Sequence, residues 1–354
     1  MEFIFDYLKH YGNKTFKEKA FNEVDALILC QFSYMKWDGI IPGLTENKSS
    51  IGMKHIKNKL DEAKVFSDPW FGRKNRSLFY DMEKSKRFGS MRCNYFAGIV
   101  NEDMNTQFCA FVCFPEGTYP VVVFRGTDET LVGWKEDLLM LSSKPVWAQY
   151  LSVIYLNRIS KLLSGKYIMC GHSKGGNLAI FAASQIKDVY VRKIRRIYSF
   201  DSPGFQRKLL KSYGYIRIKN RIRRYIPGAS VVGMLLNEGR NCKIVKCKGV
   251  GVFQHNPYVW GVKEDHFVRL VSLRMKRHIC YRAFNRWLMN VDEEELVYLA
   301  DILFAMLQVN CDKTTYTWSQ NWKNNVVCML KTAKSMSKAE KKRIFRMLWR
   351  LILL

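Results

Sequence analysis

From Tyr95 onward, apolar runs punctuated by glycine and proline divide the chain into short blocks: YFAGIV, TQFCAFVCF, PVVVFRG, KYIMC and IRRIYSF. Each is short and rich in β-branched or aromatic residues, and each predicts a strand. Longer stretches of helical character lie between the later blocks, at residues 131–140, residues 147–163 and the Ala-rich GNLAIFAASQI. Strand, helix, strand, helix, strand is the order of a parallel sheet covered on both faces, while the first blocks follow one another directly and predict antiparallel strands. The predicted fold class is therefore α/β, with a mixed, mostly parallel central sheet. Beyond Gly214, YIRI and CKIVKC are further strand candidates, and the chain from about Val268 reads as mainly helical.

The flanks have a different texture. A short opening helix and a basic connector precede FNEVDALILCQFSYMKW, whose apolar positions suit a helix packed on the sheet. Residues 46–89 are polar and Lys-rich, and read either as a helical insertion or as a mobile surface region. The expected organisation is an N-terminal helical part at 1–45, a basic insertion or surface region at 46–89, a core at 90–275 and a basic helical C-terminal extension at 276–354. In the last segment, KTAKSMSKAEKKRIFRMLWRLILL, Ser337 and Glu340 have capping-box spacing, and Phe345, Trp349 and Leu353 recur every four residues. Such a helix either docks on the domain with its basic side outward or lays its apolar face into a membrane interface.

Charge narrows the partners without choosing one. The sequence holds 58 Lys plus Arg against 31 Asp plus Glu, a formal net charge of +27. That excess attracts anionic lipid surfaces, acidic polymers and nucleic acid alike. No zinc finger, RNA-binding aromatic motif or phosphate loop accompanies it, so nucleic acid rests on charge alone. The ten cysteines include no CxxC pair, and several lie in apolar runs, as in YIMCG and FCAFVCF. That is poor metal spacing and suits buried thiols in a reducing compartment. The first residues lack the pattern of a signal peptide, and no uninterrupted apolar run approaches membrane-spanning length. The expected location is cytoplasmic, with peripheral contact at the inner face of an anionic membrane as an extension.

Chemistry enters at Gly171-His172-Ser173-Lys174-Gly175-Gly176, a G-x-S-x-G pattern placed after an apolar run and before a helix. Glycines are needed where a strand turns sharply into a helix, and the turn presents the Ser173 hydroxyl with the Lys174 backbone N–H beside it. A second element, Phe124-Arg125-Gly126-Thr127-Asp128, follows an early strand, where a further oxyanion donor is required; Thr127 supplies a backbone N–H and a hydroxyl.

VVVFRGTDETLVGWKEDL, GHSKGGNLAIFAA, YSFDSPGF, SVVGMLL and QHNPYVW together resemble a bacterial hydrolase family of unsettled substrate within the α/β-hydrolase superfamily, related to the class 3 lipases. The resemblance runs from near FNEVDALIL to about Val271. It implies an α/β-hydrolase fold and a lipase-like serine hydrolase. In the class 3 lipases an FRG[ST] segment contributes to the oxyanion hole, which maps to Thr127, and the next helix carries a Trp and an Asp, like Trp134 and Asp137. Their elbow reads GHSLGG; Lys174 replaces the usual Leu, which would place a cation near the mouth if the side chain were exposed.

The fold's order of Ser, then acid, then His leaves His255, His266 and His278 as histidines after Ser173. His255, in GVFQHNPYVW beyond a strand candidate, is favoured as the base. His266 competes because KEDHFVRL resembles the segment carrying the lipases' catalytic histidine, and His278 sits in a basic helical stretch. Those lipases place the acid before an IVP-like turn, but YIPGASVVGM has no carboxylate, so Asp201 in YSFDSPGF is preferred, with Asp265 and Glu238 as weaker candidates. The expected activity is cleavage of carboxylic esters, lipid or other acyl esters, through an acyl-enzyme, with no metal or organic cofactor. The alternative is a weak or inactive hydrolase-fold interaction protein at an anionic surface.

Overall fold

The computed structural model describes residues 1–46, 49–128, 130–142, 144–236, 242–271, 284–307 and 320–352. Ten-residue and nine-residue runs in the first half form a long hairpin, β2 (Arg92–Asn101) and β3 (Thr106–Phe114), with the two-residue β1 (Ile51–Gly52) beside it. The sheet continues through β4 (Val121–Phe124), β5 (Tyr167–His172), β6 (Ile194–Phe200), β7 (Ile222–Pro227) and β8 (Cys242–Val245). The order is β1-β2-β3-β4-β5-β6-β7-β8, closed by β11 (Arg269–Leu270). Pairs from β1 to β4 are antiparallel, those from β4 to β8 are parallel, and β11 returns antiparallel to β8. A separate hairpin pairs β9 (Val262–Lys263) with β10 (His266–Phe267). The mixed, largely parallel sheet expected from the sequence is thus present.

Alternation along the strands assigns the two faces. Phe111, Cys113, Val121, Val123, Ile168 and Cys170 face α1 (Ile4–Tyr11), α2 (Glu23–Phe32), α3 (Met53–Asn58) and α5 (Gly72–Lys84), which follows the one-turn α4 (Glu62–Val65). Their neighbours Ala110, Val112, Val122, Phe124, Tyr167 and Met169 face α7 (Trp147–Leu162) and α8 (Lys174–Gln185), with α6 (Leu131–Leu139) at the β3 end. Both faces are dry because successive strand residues point to opposite sides. All four residues of β4 are fully buried, each worth roughly 1.5–3 kcal/mol of hydrophobic transfer. The Lys-rich segment before β2 also joins this core: Met53, Ile56, Leu78, Phe79 and Met82 are fully buried on α3 and α5.

One strand expectation fails. YIRI lies in and after the one-turn α11 (Tyr213–Ile216), preceded by the short α9 (Asp188–Val191) and α10 (Arg207–Leu210). Ser212 Oγ caps α11 by accepting from the Tyr215 N–H at 3.2 Å, which turns the segment helical. The strand lies later, in IRRYIP, where Arg223 and Arg224 interrupt the apolar run that would have revealed it.

After β11, residues 284–290 form the helix α12, followed by α13 (Glu293–Leu307), α14 (Trp322–Ser335) and α15 (Lys338–Ile352). The Ser337–Glu340 capping box forms, with Ser337 N donating to Glu340 Oε2 at 2.8 Å and Glu340 N to Ser337 Oγ at 3.2 Å. Arg343 stacks over the Tyr298 ring at 3.9 Å, touching α15 to α13, whereas Phe345 remains 63% exposed. Among the described residues no helix is long and apolar enough to cross a membrane.

Candidate active site at the carboxyl ends of the parallel strands

Between β5 and α8 a single residue reverses the chain. Ser173 has φ 56° and ψ −131°, a conformation that costs a non-glycine residue about 1–3 kcal/mol and persists only where the surroundings enforce it. Here they do. A Cβ on Gly175 would lie 2.1 Å from Phe124 O, and one on Gly171 would lie 2.2 Å from the Gly175 carbonyl carbon, so strand and helix meet at glycine-only distance. Ser173 N donates to Phe200 O at 2.9 Å, which ties the turn to the end of the next strand.

Asp201 follows Phe200 directly. Its own φ of 43° swings the carboxylate off the end of β6, and its N–H is held by Tyr225 O at 2.8 Å. The side chain is fully buried and accepts three hydrogen bonds: His255 Nδ1 at 2.6 Å and Ser230 Oγ at 2.7 Å on Oδ2, and Gly233 N at 3.1 Å on Oδ1. Asp201 and His255 are therefore brought together although 54 positions separate them. With Nδ1 facing a carboxylate, neutral His255 carries its proton there and keeps the Nε2 lone pair free. No hydrogen bond joins His255 to Ser173 among the described residues, a looseness common before substrate binds.

His172 secures the histidine from the elbow side. Its ring centroid lies 4.5 Å from that of His255, and its Nε2 is 2.9 Å from His255 O. A carbonyl only accepts, so Nε2 carries the proton and Nδ1 accepts from Tyr34 Oη at 2.8 Å. Burial, reinforced by the neighbouring His255, pushes the His172 pKa well below the usual imidazole value and keeps the ring neutral.

On the other side of Ser173, the loop after β4 runs through Gly126 and Thr127. A Cβ on Gly126 would come within 2.1 Å of Tyr34 Oη, so only glycine passes. Thr127 Oγ1 donates to Asp137 Oδ2 at 2.7 Å, and Arg125 pairs with Asp128 at 3.6 Å. About a third of the Asp137 side chain is open to solvent, but Oδ1 is enclosed, and desolvation raises the carboxyl to about 6 against the lowering influence of Lys174 and Thr127. Lys174 is not at the mouth. Its side chain is 1% exposed and turns inward, where Nζ donates to Glu136 Oε2 at 2.9 Å and Gln107 Oε1 at 3.1 Å. Trp134 is half-exposed on α6.

The remaining candidates lie apart from this cluster. His266 Nδ1 is 3.2 Å from Asp265 Oδ1, Asp265 pairs with Lys19 at 2.7 Å, and both belong to the β9–β10 hairpin region. Glu238 and His278 fall outside the described residues. Sequence reasoning assigned no role to Ser230 and Gly233, although both lie in ASVVGMLL; it also passed over His172, inside the elbow itself, and Tyr34, for which no local signal exists. Among the described residues no three His, Cys, Asp or Glu side chains are grouped to hold a metal ion.

The family model for Mbeg1-like proteins matches residues 82–305, more than half of the chain, and the chain belongs to that family. A search of curated proteins returns no match. Among solved structures, M37 lipase is 15% identical, with 60% of this chain and 68% of that one covered at a TM-score of 0.38. Rhizomucor miehei lipase in its propeptide complex is also 15% identical, covering 48% of this chain and 70% of that one at a TM-score of 0.34. Likeness at this distance says nothing of substrate. The mixed, largely parallel sheet flanked by helices, with a sharp strand-turn-helix at Ser173 and a helical C-terminal extension, is an α/β-hydrolase-type architecture.

Proposed function

We propose that this member of the Mbeg1-like family is a serine hydrolase that cleaves carboxylic esters, lipid or other acyl esters, through an acyl-enzyme intermediate. The observation that carries the reading is the 2.6 Å contact between His255 Nδ1 and buried Asp201, made at the end of the strand next to the one that delivers Ser173. In the proposed cycle His255 Nε2 accepts the Ser173 proton as Oγ attacks the ester carbonyl. Asp201 holds the imidazole in the required tautomer and stabilises the imidazolium. The Lys174 and Thr127 backbone N–H groups stabilise the tetrahedral oxyanion, His255 returns the proton to the leaving alcohol, and water releases the acyl group by the same path in reverse.

Kinship to the class 3 lipases, within a bacterial family, belongs to this proposal. It draws on FRGT at 124–127 and GHS at 171–173, and departs from the lipase pattern at Lys174 and in the position of the acid. The excess of positive charge favours anionic esters or an anionic lipid surface, and a cytoplasmic enzyme bound peripherally to a membrane fits the basic, exposed first turns of α15. Nucleic acid has only the charge in its favour. Hydrolysis of short nitrophenyl esters by purified protein tests the reading: turnover that disappears in Ser173→Ala is expected, and equal turnover by the two proteins would refute it.

A further inference from the structure

Both proposed oxyanion donors connect to one buried side chain. Lys174 contributes its backbone N–H to the hole while its ammonium runs behind it, 2.9 Å from Glu136 Oε2 and 4.0 Å from Asp137 Oδ1. Asp137 Oδ1 is enclosed without a hydrogen-bond partner among the described residues, and its other oxygen accepts from Thr127 Oγ1. Glu136, 1% exposed, is saturated: Oε1 accepts from Thr106 Oγ1 at 2.7 Å and Ala148 N at 2.9 Å, and Oε2 from Gln107 N at 2.9 Å and Lys174 Nζ. Gln107 extends the chain, receiving Lys174 Nζ on Oε1 and donating from Nε2 to Asp128 Oδ2 at 3.3 Å, and Asp128 Oδ1 accepts from the Thr130 N–H and hydroxyl. One ammonium thus joins the first residue of α8 to the start of β3, the first turn of α7, α6 and the Thr127 loop.

From this we infer that Lys174 is a positioning residue for the oxyanion hole: its buried ammonium, shared between Glu136 and Asp137, fixes the Thr127 loop against the Ser173 elbow so that the two donors converge. This rests on the serine hydrolase reading. A leucine there would fill space but leave Glu136 and Asp137 without a cation, and an uncompensated buried carboxylate is strongly destabilising. The strands that carry the loop and the elbow pair directly, with Phe124 opposite Gly171, and beyond their ends the Lys174 side chain adds a contact that crosses from the elbow to Glu136 and Asp137 and, through Asp137, to Thr127.

The test compares wild type, Lys174→Met and the double variant Lys174→Met/Glu136→Gln, which removes both charges of the pair; its amide must face one of the backbone donors Gln107 N and Ala148 N, and the melting temperature reads that cost separately from catalysis. Each is measured for melting temperature, for kcat and KM on a nitrophenyl ester, and for inhibition by a trifluoromethyl ketone, whose adduct with Ser173 places an oxyanion in the hole. In the folded double variant kcat and ketone affinity should fall together by about 10- to 100-fold, less than or equal to the loss of one whole donor, with KM nearly unchanged. A folded double variant with wild-type kcat and ketone affinity overturns the positioning role, whatever its melting temperature. A wild-type enzyme that neither turns over nor binds the ketone instead overturns the hydrolase reading beneath it.

Discussion

Replacing Asp201 with asparagine changes one atom and reverses the logic of the histidine. The carboxylate accepts from Ser230 Oγ, Gly233 N and His255 Nδ1, and the side chain is fully buried. An asparagine keeps Gly233 N, the donor that cannot reverse, only by placing its oxygen at the Oδ1 position, which puts its NH2 at the Oδ2 position facing His255 Nδ1 and Ser230 Oγ, whose hydroxyl can turn to accept. Nδ1 must then accept, so the proton moves to Nε2, the atom required to take the proton of Ser173. The expected loss in kcat is about 10,000-fold, equivalent to roughly 5.5 kcal/mol of barrier, as for the wrong tautomer in a serine protease triad. Stability should fall by only about 1–3 kcal/mol, because the neutral amide still accepts from Gly233 N and can donate to the Ser230 hydroxyl, so the site keeps its shape. Burst kinetics with a nitrophenyl ester, alongside thermal unfolding, separate the two effects. An Asp201→Asn protein that folds and retains kcat within tenfold of wild type would refute the reasoning.

Other expectations follow from the same geometry. His255→Ala should slow acylation by at least about 100-fold, while His266→Ala, whose imidazole pairs with Asp265 away from Ser173, should leave the rate within a few-fold; pre-steady-state acylation decides between them. His172 is held neutral by burial, so the native protein takes up a proton less readily than the unfolded chain, and the stability this contributes is present above about pH 6.5 and lost as pH falls below it. The melting temperature of His172→Asn should therefore depend less steeply on pH below that value than wild type, and parallel curves would contradict it. In α15, Lys338, Lys341, Lys342 and Arg346 are exposed, and reversing them to Glu in the full chain should weaken sedimentation with anionic but not neutral vesicles, with the difference shrinking at higher salt. Unchanged sedimentation would remove α15 as the membrane contact.

What could be read from the chain follows from how local each requirement is. The turn at Ser173 was legible because its glycines answer to contacts within a strand, a turn and a helix, and the sheet was legible because blocks such as VVVF and YIMC are apolar on both faces. The Asp201–His255 contact is different: residue order narrows the choice, but the hydrogen bond depends on Ser230 and Gly233 and on His172 stacking from another strand. The direction of Lys174 was invisible in the sequence because it is set by Glu136 and Gln107, 38 and 67 residues away. Likewise, α3 and α5 bury one apolar side under a Lys-rich exterior, which composition reads as surface.

The central claim is that Ser173 is a nucleophile, and a fluorophosphonate probe tests it without knowledge of the substrate. Intact-protein mass should rise by one phosphonyl group on the wild type, peptide mapping should place the adduct on Ser173, and Ser173→Ala should remain unlabelled under the same conditions while unfolding near the wild-type temperature. An adduct on another residue, or a folded wild-type protein that the probe leaves unmodified while a known serine hydrolase in the same tube is labelled, would contradict it.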